Sequence, residues 1–469
     1  MRIAGVALVA LRRACSSAAL AGAISLWLLL PARADTLPQA LVHVYQMNPQ
    51  LNARRAQLRA TDENVSQALS GYRPQISAGL SAGAQALNNG LPGGGSQSAT
   101  LHPWMVGLTI TQPLFNGFRT ANSVRQAESQ VRSGREALRD VEQTVFVTAI
   151  TAYMGVVADQ ALVEAQRANV AALRQILEST RIRLNAGDVT PTDVFQAEAR
   201  LSRGLADLNA AEVQLAIDQA TYRQVVGVPP RHLGPAEPID RLLPHARDDA
   251  IAIGAREHPT VAGAMYDFDA AEAAIKVAEG SLMPNLSLQG TASHSVDTDT
   301  TLGTTRTDQA SITAQATVPL YDGGLAASQV RQAKETLAQN RLVLDQARRQ
   351  TEAAVTTAWV MNEGAKTAIR AGEAEVRAST SALEGVRKEA SAGQRTTIDV
   401  LNAQQDLMAA RARLIQAQRD RVVASYTLLA AIGRLDHKRL ELSTPDYEPQ
   451  AHYFQVRDAW HGLRTPAGQ

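Results

Sequence analysis

Few residues of this chain have the type and spacing that catalysis requires. The nine histidines are scattered, none lies four residues from another, and no HExxH motif occurs. There is no Walker glycine and lysine motif and no Gly-x-Ser-x-Gly elbow, and the glycines at 93–95 are not followed by a helical pattern. The sequence therefore predicts a protein that is not an enzyme and has no catalytic residue, cofactor or metal site.

Charged residues do recur at matching places in two stretches, 181–201 (RIRLNAGDVTPTDVFQAEARL) and 387–407 (RKEASAGQRTTIDVLNAQQDL). Gly187 matches Gly393, and Asp193 matches Asp399, at a constant offset of 206 residues. This internal repeat indicates two similar halves rather than several unlike domains. Each aspartate stands in the first turn of a predicted helix, where the helix dipole favours a carboxylate. A helix-start role is therefore open for each aspartate.

Each half is predicted to contain one very long helical hairpin that turns at its glycine. Upstream of the first turn, apolar residues recur mostly every seven positions, as in a coiled-coil seam, with one eleven-residue step. The seam consists of Val124, Val131, Leu138, Val145, Val156, Val163, Val170, Leu177 and Leu184. No proline interrupts 117–187 or 323–393, so each first arm is a rod of roughly 100 Å. The return arms are about half as long.

Alternating apolar and polar residues, typical of strands, follow Pro74 and Pro284 in the two halves. The apolar positions are Ile76, Ala78, Leu80, Ala82 and Ala84; Val106, Leu108 and Ile110; Leu286 and Leu288; and Ile312, Ala314, Ala316 and Val318. They predict four strands, joined in pairs by loose polar loops at 87–101 and 294–308.

Two environments suit such strands. One apolar and one polar face, over about ten residues, fit a transmembrane barrel, although a half-buried soluble hairpin shows the same alternation. Nothing in the chain could cover the apolar face except lipid or another copy of the chain, which favours the transmembrane barrel. Because four strands cannot close and open edges are not tolerated in hydrocarbon, several chains must then share one barrel.

The remaining segments complete the predicted domain plan. Residues 1–34 resemble a secretory signal, with Arg12 and Arg13 before an apolar run and a small-residue cleavage site at 32–34. The first repeat spans 35–228, with a helix at 37–72; a proline-rich linker spans 229–247, the second repeat 248–434, and a tail 435–469 that is expected to pack near the middle of the rods. Cys15, the only cysteine, would leave with the signal, so no disulfide is expected. The formal charge of +1 indicates no nucleic-acid partner.

A set of short motifs gives the chain a resemblance to a known family. They are Asn48-Pro49, GYRP ending at Pro74, QPLFNG (with Pro113 and Gly117), VPLYDG (with Pro319 and Gly323), Ala152-Tyr153, AGDVTPTDV and AGQRTTIDV. The proline and glycine of each QPLFNG-type element suit a strand-to-helix transition. In order, duplication and spacing the set resembles the TolC family of outer-membrane channel proteins, especially those of type I secretion and efflux.

The resemblance implies a mainly α fold with a small β part. Three identical chains would contribute twelve strands to one barrel in the lipid of the outer membrane of a Gram-negative bacterium. Their long helical hairpins would form a periplasmic tunnel with an equatorial belt. Such passive ducts dock through a periplasmic adaptor (membrane fusion) protein onto an inner-membrane transporter, either ABC or proton-driven, and open at their helix tips.

The resemblance also implies a gate at the tips, so a gating role and a helix-start role are both open for Asp193 and Asp399. Asp399 matches the first aspartate of the family's constriction, and Asn402 stands at the second. Arg395 matches the tip arginine, and Thr192 and Asp193 match its partner region on the neighbouring hairpin.

Two other classes of protein share part of this pattern. A soluble periplasmic coiled-coil adaptor or scaffold would have the hairpins but would not need the alternating strands. An autonomous porin would have the strands but would not need rods of about 100 Å. The combination favours a duct.

Overall fold

The computed structural model of the chain describes residues 36–91, 93–299 and 303–466, so the predicted signal at 1–34, Cys15 and Pro92 lie outside the described residues. The first half contains α1 (Leu37–Met47), α2 (Pro49–Leu69), β1 (Gln75–Ala82), β2 (Gln85–Leu91), β3 (Gly95–Leu101), β4 (Trp104–Asn116), α3 (Arg119–Asn185) and α4 (Pro191–Val226). The second half contains α5 (Arg247–Glu257), α6 (Pro259–Glu279), β5 (Asn285–Asp299), β6 (Gly303–Thr317), α7 (Leu325–Ser391) and α8 (Thr397–Ala431), and the tail contains α9 (Pro449–Val456). The chain is mainly helical and repeats one order of elements twice, as predicted.

The two long rods are confirmed. Helices α3 and α7 have 67 residues each, which corresponds to about 100 Å. The return helices α4 and α8 have 36 and 35 residues. The predicted seam of α3 is buried at Val131, Leu138, Val145, Val156, Val163, Val170 and Leu177. The seven-residue apolar spacing therefore does mark the buried face of the long helix, which packs against α2 near Val131 and against its return helix near Leu173 and Leu177.

The predicted single helix at 37–72 is wrong in one respect, because it is broken at Asn48. Pro49 occupies the first position of α2, and the Asn48 side chain accepts hydrogen bonds from the N–H groups of Gln50 and Leu51 at 2.9 and 3.2 Å. Proline fits a helix start and disfavours helical backbone in the residue before it, so α1 ends there and α2 begins. His258 caps α6 in the same way in the second half, by accepting from the Thr260 N–H.

The strands form one antiparallel sheet in which β1, β4, β5 and β6 are neighbours in that order. The predicted loose loops at 87–101 and 294–308 are wrong for most of their length. β2 and β3 form a hairpin over 85–101 that extends the β1–β4 pair, and β5 and β6 pair as far as Asp299 and Gly303. Both segments are polar, and the first is also rich in glycine, but their backbone groups are satisfied by each other across the hairpin. Two of the four predicted strands are thus each split into two segments.

The helices pack side by side around the rods in a fixed order. Helix α3 contacts α1 and α2 on one side and α6 on the other. Helix α7 contacts α5 and α6, the repeat counterparts of α1 and α2. Nearer the tips, α8 lies against α3, which brings the two hairpins together.

The largest core lies at the middle of the rods, where the linker and the tail pack. Tyr153 of α3 is buried and donates to the Gly234 carbonyl at 2.7 Å, and the buried Arg421 of α8 pairs with Asp240 of the linker. His437 of the tail lies between two carboxylates, at 2.8 and 2.9 Å. Part of α3 is long and apolar enough to cross a membrane by composition, but 56% of that stretch is buried inside the chain. Packing in the core accounts for its apolar character.

Candidate functional site

Both hairpins turn at their tips through a glycine with left-handed backbone, with φ of 84° at Gly187 and 78° at Gly393. At the first tip the Asp188 N–H donates to the Arg183 carbonyl at 2.9 Å, and the second tip repeats this bond at the same length. Such bonds satisfy the last carbonyls of a helix. No atom lies within 4 Å of where a Cβ would be at either glycine, so backbone conformation alone requires glycine.

Asp193 and Asp399 close the two turns with the same geometry. The N–H and hydroxyl of Thr190 donate to Asp193 Oδ2 at 3.0 and 2.7 Å, and Thr396 donates to Asp399 Oδ2 at the same two distances. Each pair is a capping box, so the helix-start role is present in both hairpins. Hydrogen bonds from Thr396, and then the charge of Arg395, lower the pKa of Asp399, and its carboxylate is ionised at neutral pH.

The ion pair that Arg395 makes lies within its own hairpin. Its Nε donates to Glu389 Oε2 at 2.9 Å across the tip turn. Thr192 is exposed on the other hairpin. Among the described residues Arg395 does not pair with Thr192 or Asp193, so the predicted contact between hairpins stays a prediction about neighbouring chains.

Asn402 has a partner that the sequence did not suggest. Arg200, on α4 of the first hairpin, donates through Nη2 to Asn402 Oδ1 at 2.9 Å and through Nη1 to Gln405 Oε1. One signal could have identified it: at the repeat offset Arg200 corresponds to Asp406, so the charge changes sign between the halves. Together Arg200, Asn402 and Gln405 form a clasp between α4 and α8, which we call the α4–α8 clasp.

A second polar contact joins three helices beside this clasp. The buried Gln404 of α8 accepts from Arg387 Nη2 of α7 at 2.9 Å and donates to Asn169 Oδ1 of α3 at 3.0 Å. A cavity of about 200 Å³ lies here, lined in part by Asn169, Arg200 and Gln404. The tips of the two hairpins are thus held to each other by hydrogen bonds as well as by apolar packing.

The sheet has one apolar and one polar face at the other end of the rods. Across β1 and β4, Ile76 lies opposite Ile110 and Leu80 lies opposite Val106, and all four side chains are exposed in the single chain. Serine, threonine and glutamine fill the opposite face, where the hydroxyls of residues 291 and 311 hydrogen-bond at 2.8 Å. This is the division expected for lipid outside and water inside.

The strand exits differ between the two halves. Gly117 lies between β4 and α3 with φ of 66°, and a Cβ there would be 2.3 Å from the carbonyl oxygen of Gly280. Pro113 lies inside β4, beside an irregularity in the register with β5. Pro319 follows the end of β6, and Gly323, with φ of 71°, has open space around its Cβ position. Both glycines therefore stand at transitions from strand to helix.

Residues that could bind a metal ion do not gather in the part of the chain that the structure describes: no group of three or more histidine, cysteine, aspartate or glutamate side chains lies together there. The candidate site consists of the helical tips at one end and the two-faced sheet at the other.

Comparisons with known proteins agree with this arrangement. The family model for outer membrane efflux proteins matches residues 40–228 and 255–434. The outer membrane efflux protein BepC of Brucella suis biovar 1 (strain 1330) is 40% identical over 440 residues, which cover 93% of this chain and 94% of BepC. The alkaline protease secretion protein AprF of Pseudomonas aeruginosa is 27% identical over 351 residues, covering 72% of each chain.

A solved structure shows the same fold. The Campylobacter jejuni CmeC outer membrane channel superimposes with a TM-score of 0.75 at 13% identity, over 86% of this chain and 88% of CmeC. With its two-faced strands, its paired rods and these matches, the chain belongs to the outer membrane efflux protein family, that of TolC, and is an outer-membrane channel protein with a periplasmic helical tunnel.

Proposed function

We propose that three copies of this chain form one passive exit duct that carries substrates across the periplasm and the outer membrane in a type I secretion or multidrug efflux system. Channels of this family are trimeric and work within efflux and secretion systems. In the proposal, a periplasmic adaptor protein and an inner-membrane transporter, ABC or proton-driven, engage the hairpin tips and open them.

The unequal surroundings of the two rods carry this proposal. Helix α3 has short helices on both sides, whereas α7 has its own α5 and α6 but no comparable second neighbour among the described residues. Because α2 is the repeat counterpart of α6, the α2 of a second chain would supply the missing contact. Leu320 and Tyr321, beside the start of α7, are 93% and 88% exposed in the single chain. A neighbouring chain would cover them.

The repeat also predicts how the sheets of neighbouring chains pair. β1 and β5 correspond, as do β4 and β6, so the β4–β5 register should recur between β6 and the β1 of the next chain. Thr109 lies opposite Thr291 within the chain. Moving these positions by the offsets of the two halves places Gln315 opposite Ser81 of the next chain.

A disulfide test checks this pairing without background, because the only cysteine, Cys15, lies in the predicted signal. Gln315→Cys with Ser81→Cys should give chains cross-linked into closed trimers under mild oxidation. The matched control is Gln315→Cys with Ser77→Cys, four residues and about 13 Å along the strand. Equal cross-linking in the control, or adducts that extend beyond three chains, would contradict the proposal.

The tip as a gate has its own test in planar lipid bilayers. We expect small, steady unitary conductance from the purified trimer, larger conductance from Arg395→Ala, and reduced cation preference from Asp399→Ala. Well-folded trimers without unitary steps would exclude a channel. Export that continues when the cell's adaptor is deleted would indicate an autonomous porin instead of a duct.

A further inference from the structure

We propose that Arg200 is a determinant of ion selectivity at the constriction of the duct, because the α4–α8 clasp holds its guanidinium against Asn402. The inference rests on the proposed function, since it takes the tips of three chains to form the constriction. It adds a positive group that neither the repeat nor the family's constriction pattern contains.

The clasp fixes where the Arg200 charge lies. Two of its nitrogens are held by side-chain oxygens on α8, Asn402 Oδ1 at 2.9 Å and Gln405 Oε1. Asn402 and Gln405 are exposed, on the side of α8 away from the apolar residues that pack inside its hairpin. A guanidinium with two fixed acceptors is confined to that surface, whereas a free arginine would move through many rotamers.

Asn402 makes this arrangement possible. A neutral amide oxygen accepts one hydrogen bond from Arg200 and does not cancel its charge, whereas an aspartate at the same position would form an ion pair. Asp399 lies three residues away, about 4.5 Å of rise along α8, and its carboxylate is engaged by Thr396. In a trimer, three Arg200 charges would enter the same constriction as three Asp399 charges and would offset part of their attraction for cations.

The clasp forms within each chain and has no counterpart between neighbouring chains. At the repeat offset Arg200 corresponds to Asp406, and Gln405 corresponds to Ala199. The equivalent contact between α8 and the α4 of a neighbouring chain therefore lacks both the arginine and one acceptor. The positive charge enters the constriction once per chain, from α4 only.

The test is the reversal potential of single trimers in a potassium chloride gradient. For the wild type we expect a weak preference for cations, with a potassium to chloride permeability ratio between one and about two, because the Arg200 charges offset part of the effect of the Asp399 charges. Arg200→Gln should raise the ratio about threefold or more, even with screening by salt. Arg200→Lys keeps the charge and should stay close to the wild type.

Arg181→Gln is the matched control. Arg181 also forms an ion pair between helices near the tip, with Glu198 at 2.7 Å, but that pair lies within the first hairpin. Its loss should leave the permeability ratio unchanged. All variants are compared as heat-stable trimers, and the charge-retaining lysine variant separates selectivity from any loosening of the clasp.

The outcomes distinguish this inference from the function it rests on. If Asp399→Asn shifts the ratio towards chloride but Arg200→Gln changes nothing, the constriction stands and the role of Arg200 is refuted. If neither substitution alters the ratio, the tip is not the constriction and both proposals fail. A ratio that rises equally in Arg181→Gln would show a general effect of charge and would also refute a specific role for Arg200.

Discussion

Replacing Gly117 with alanine is expected to prevent most copies of the chain from assembling into trimers. The substitution combines two costs, strain in the backbone and steric overlap with a neighbouring backbone. Its φ of 66° is left-handed, and a Cβ would lie 2.3 Å from the Gly280 carbonyl oxygen and 2.7 Å from Met283 Cβ. Gly280 itself has φ of −62°, which any residue adopts, but a Cβ there would lie 2.6 Å from the Gly117 carbonyl oxygen. Gly187 has left-handed backbone and open space.

The three glycines thus separate backbone strain from steric overlap. Gly187→Ala has only the strain, about 1–2 kcal/mol, partly offset by about 0.4–1 kcal/mol from a less flexible unfolded chain. Gly280→Ala has only the overlap, which forces the backbone to move by at least about 0.4 Å, from 2.6 to 3.0 Å, and costs about 1–3 kcal/mol by comparison with overpacked cores. Gly117→Ala has both, so about 2–5 kcal/mol per chain is expected.

The assay is the temperature at which trimers extracted from the outer membrane dissociate, together with the amount of trimer that reaches the membrane. Gly187→Ala should be close to the wild type, Gly280→Ala lower, and Gly117→Ala lowest in both measurements. A Gly280→Ala variant that matches the wild type, or a Gly117→Ala variant no worse than Gly187→Ala, would refute the close approach of the two backbones.

Four further substitutions, in three experiments, test the tip and the midsection. Asp399→Asn and Asp193→Asn alter identical caps and should speed amide exchange at their turns equally, but only Asp399→Asn should reduce cation preference; equal effects on selectivity would count against a gate. Burial opposes protonation of His437, but its two carboxylate partners outweigh this and raise its pKa. Tail docking should therefore be strongest below about pH 6.5 and weaken as pH rises through the raised pKa, so tail proteolysis should be slower at about pH 6 than at about pH 8, and His437→Gln should remove that difference. Asp240→Asn leaves the buried Arg421 without a carboxylate and should cost about 2 kcal/mol, seen as a lower dissociation temperature; an unchanged temperature would exclude a stabilising clamp on the linker.

The rods and the two-faced strands could be predicted because each rests on a periodic pattern. A seven-residue apolar spacing without proline leaves little alternative to a long helix, and a two-residue alternation defines a face. The break at Asn48 was also readable, since an asparagine followed by proline is a strong helix-start signal. The prediction gave more weight to the apolar spacing, which continues across Asn48. In the structure the helix breaks there because Pro49 disfavours helical backbone in the residue before it.

The errors at 87–101 and 294–308 have a different cause. Both segments are polar, and the first is also rich in glycine; composition of this kind indicates turns when it is considered alone. Their strands form because the hairpins below them already fix the register, so each further pair adds backbone hydrogen bonds at little cost in chain entropy. This cooperative extension of the hairpins does not depend on a periodic pattern, so it could not be predicted from the spacing of apolar residues.

The α4–α8 clasp is beyond sequence periodicity for a third reason. Arg200 and Asn402 are 202 residues apart and belong to different hairpins, so nothing local indicates their contact. Periodicity tells which face of a helix is apolar, whereas the contact depends on how one hairpin is rotated against the other. That rotation is set by packing near Leu173 and Leu401.

The two hairpin tips share their backbone conformation and caps but differ in charge. This difference bears on the role of the tips. Both turns have a left-handed glycine and a capping box with the same hydrogen-bond distances. At the repeat offset, however, Arg395 corresponds to Val189 and Asn402 corresponds to Gln196. If the tips were only scaffolds, the charges would have no reason to differ where the backbone does not. Under the proposed function, the second hairpin, which holds Arg395 and the acceptors of the clasp, is therefore the one whose movement would change the charge and width of the duct.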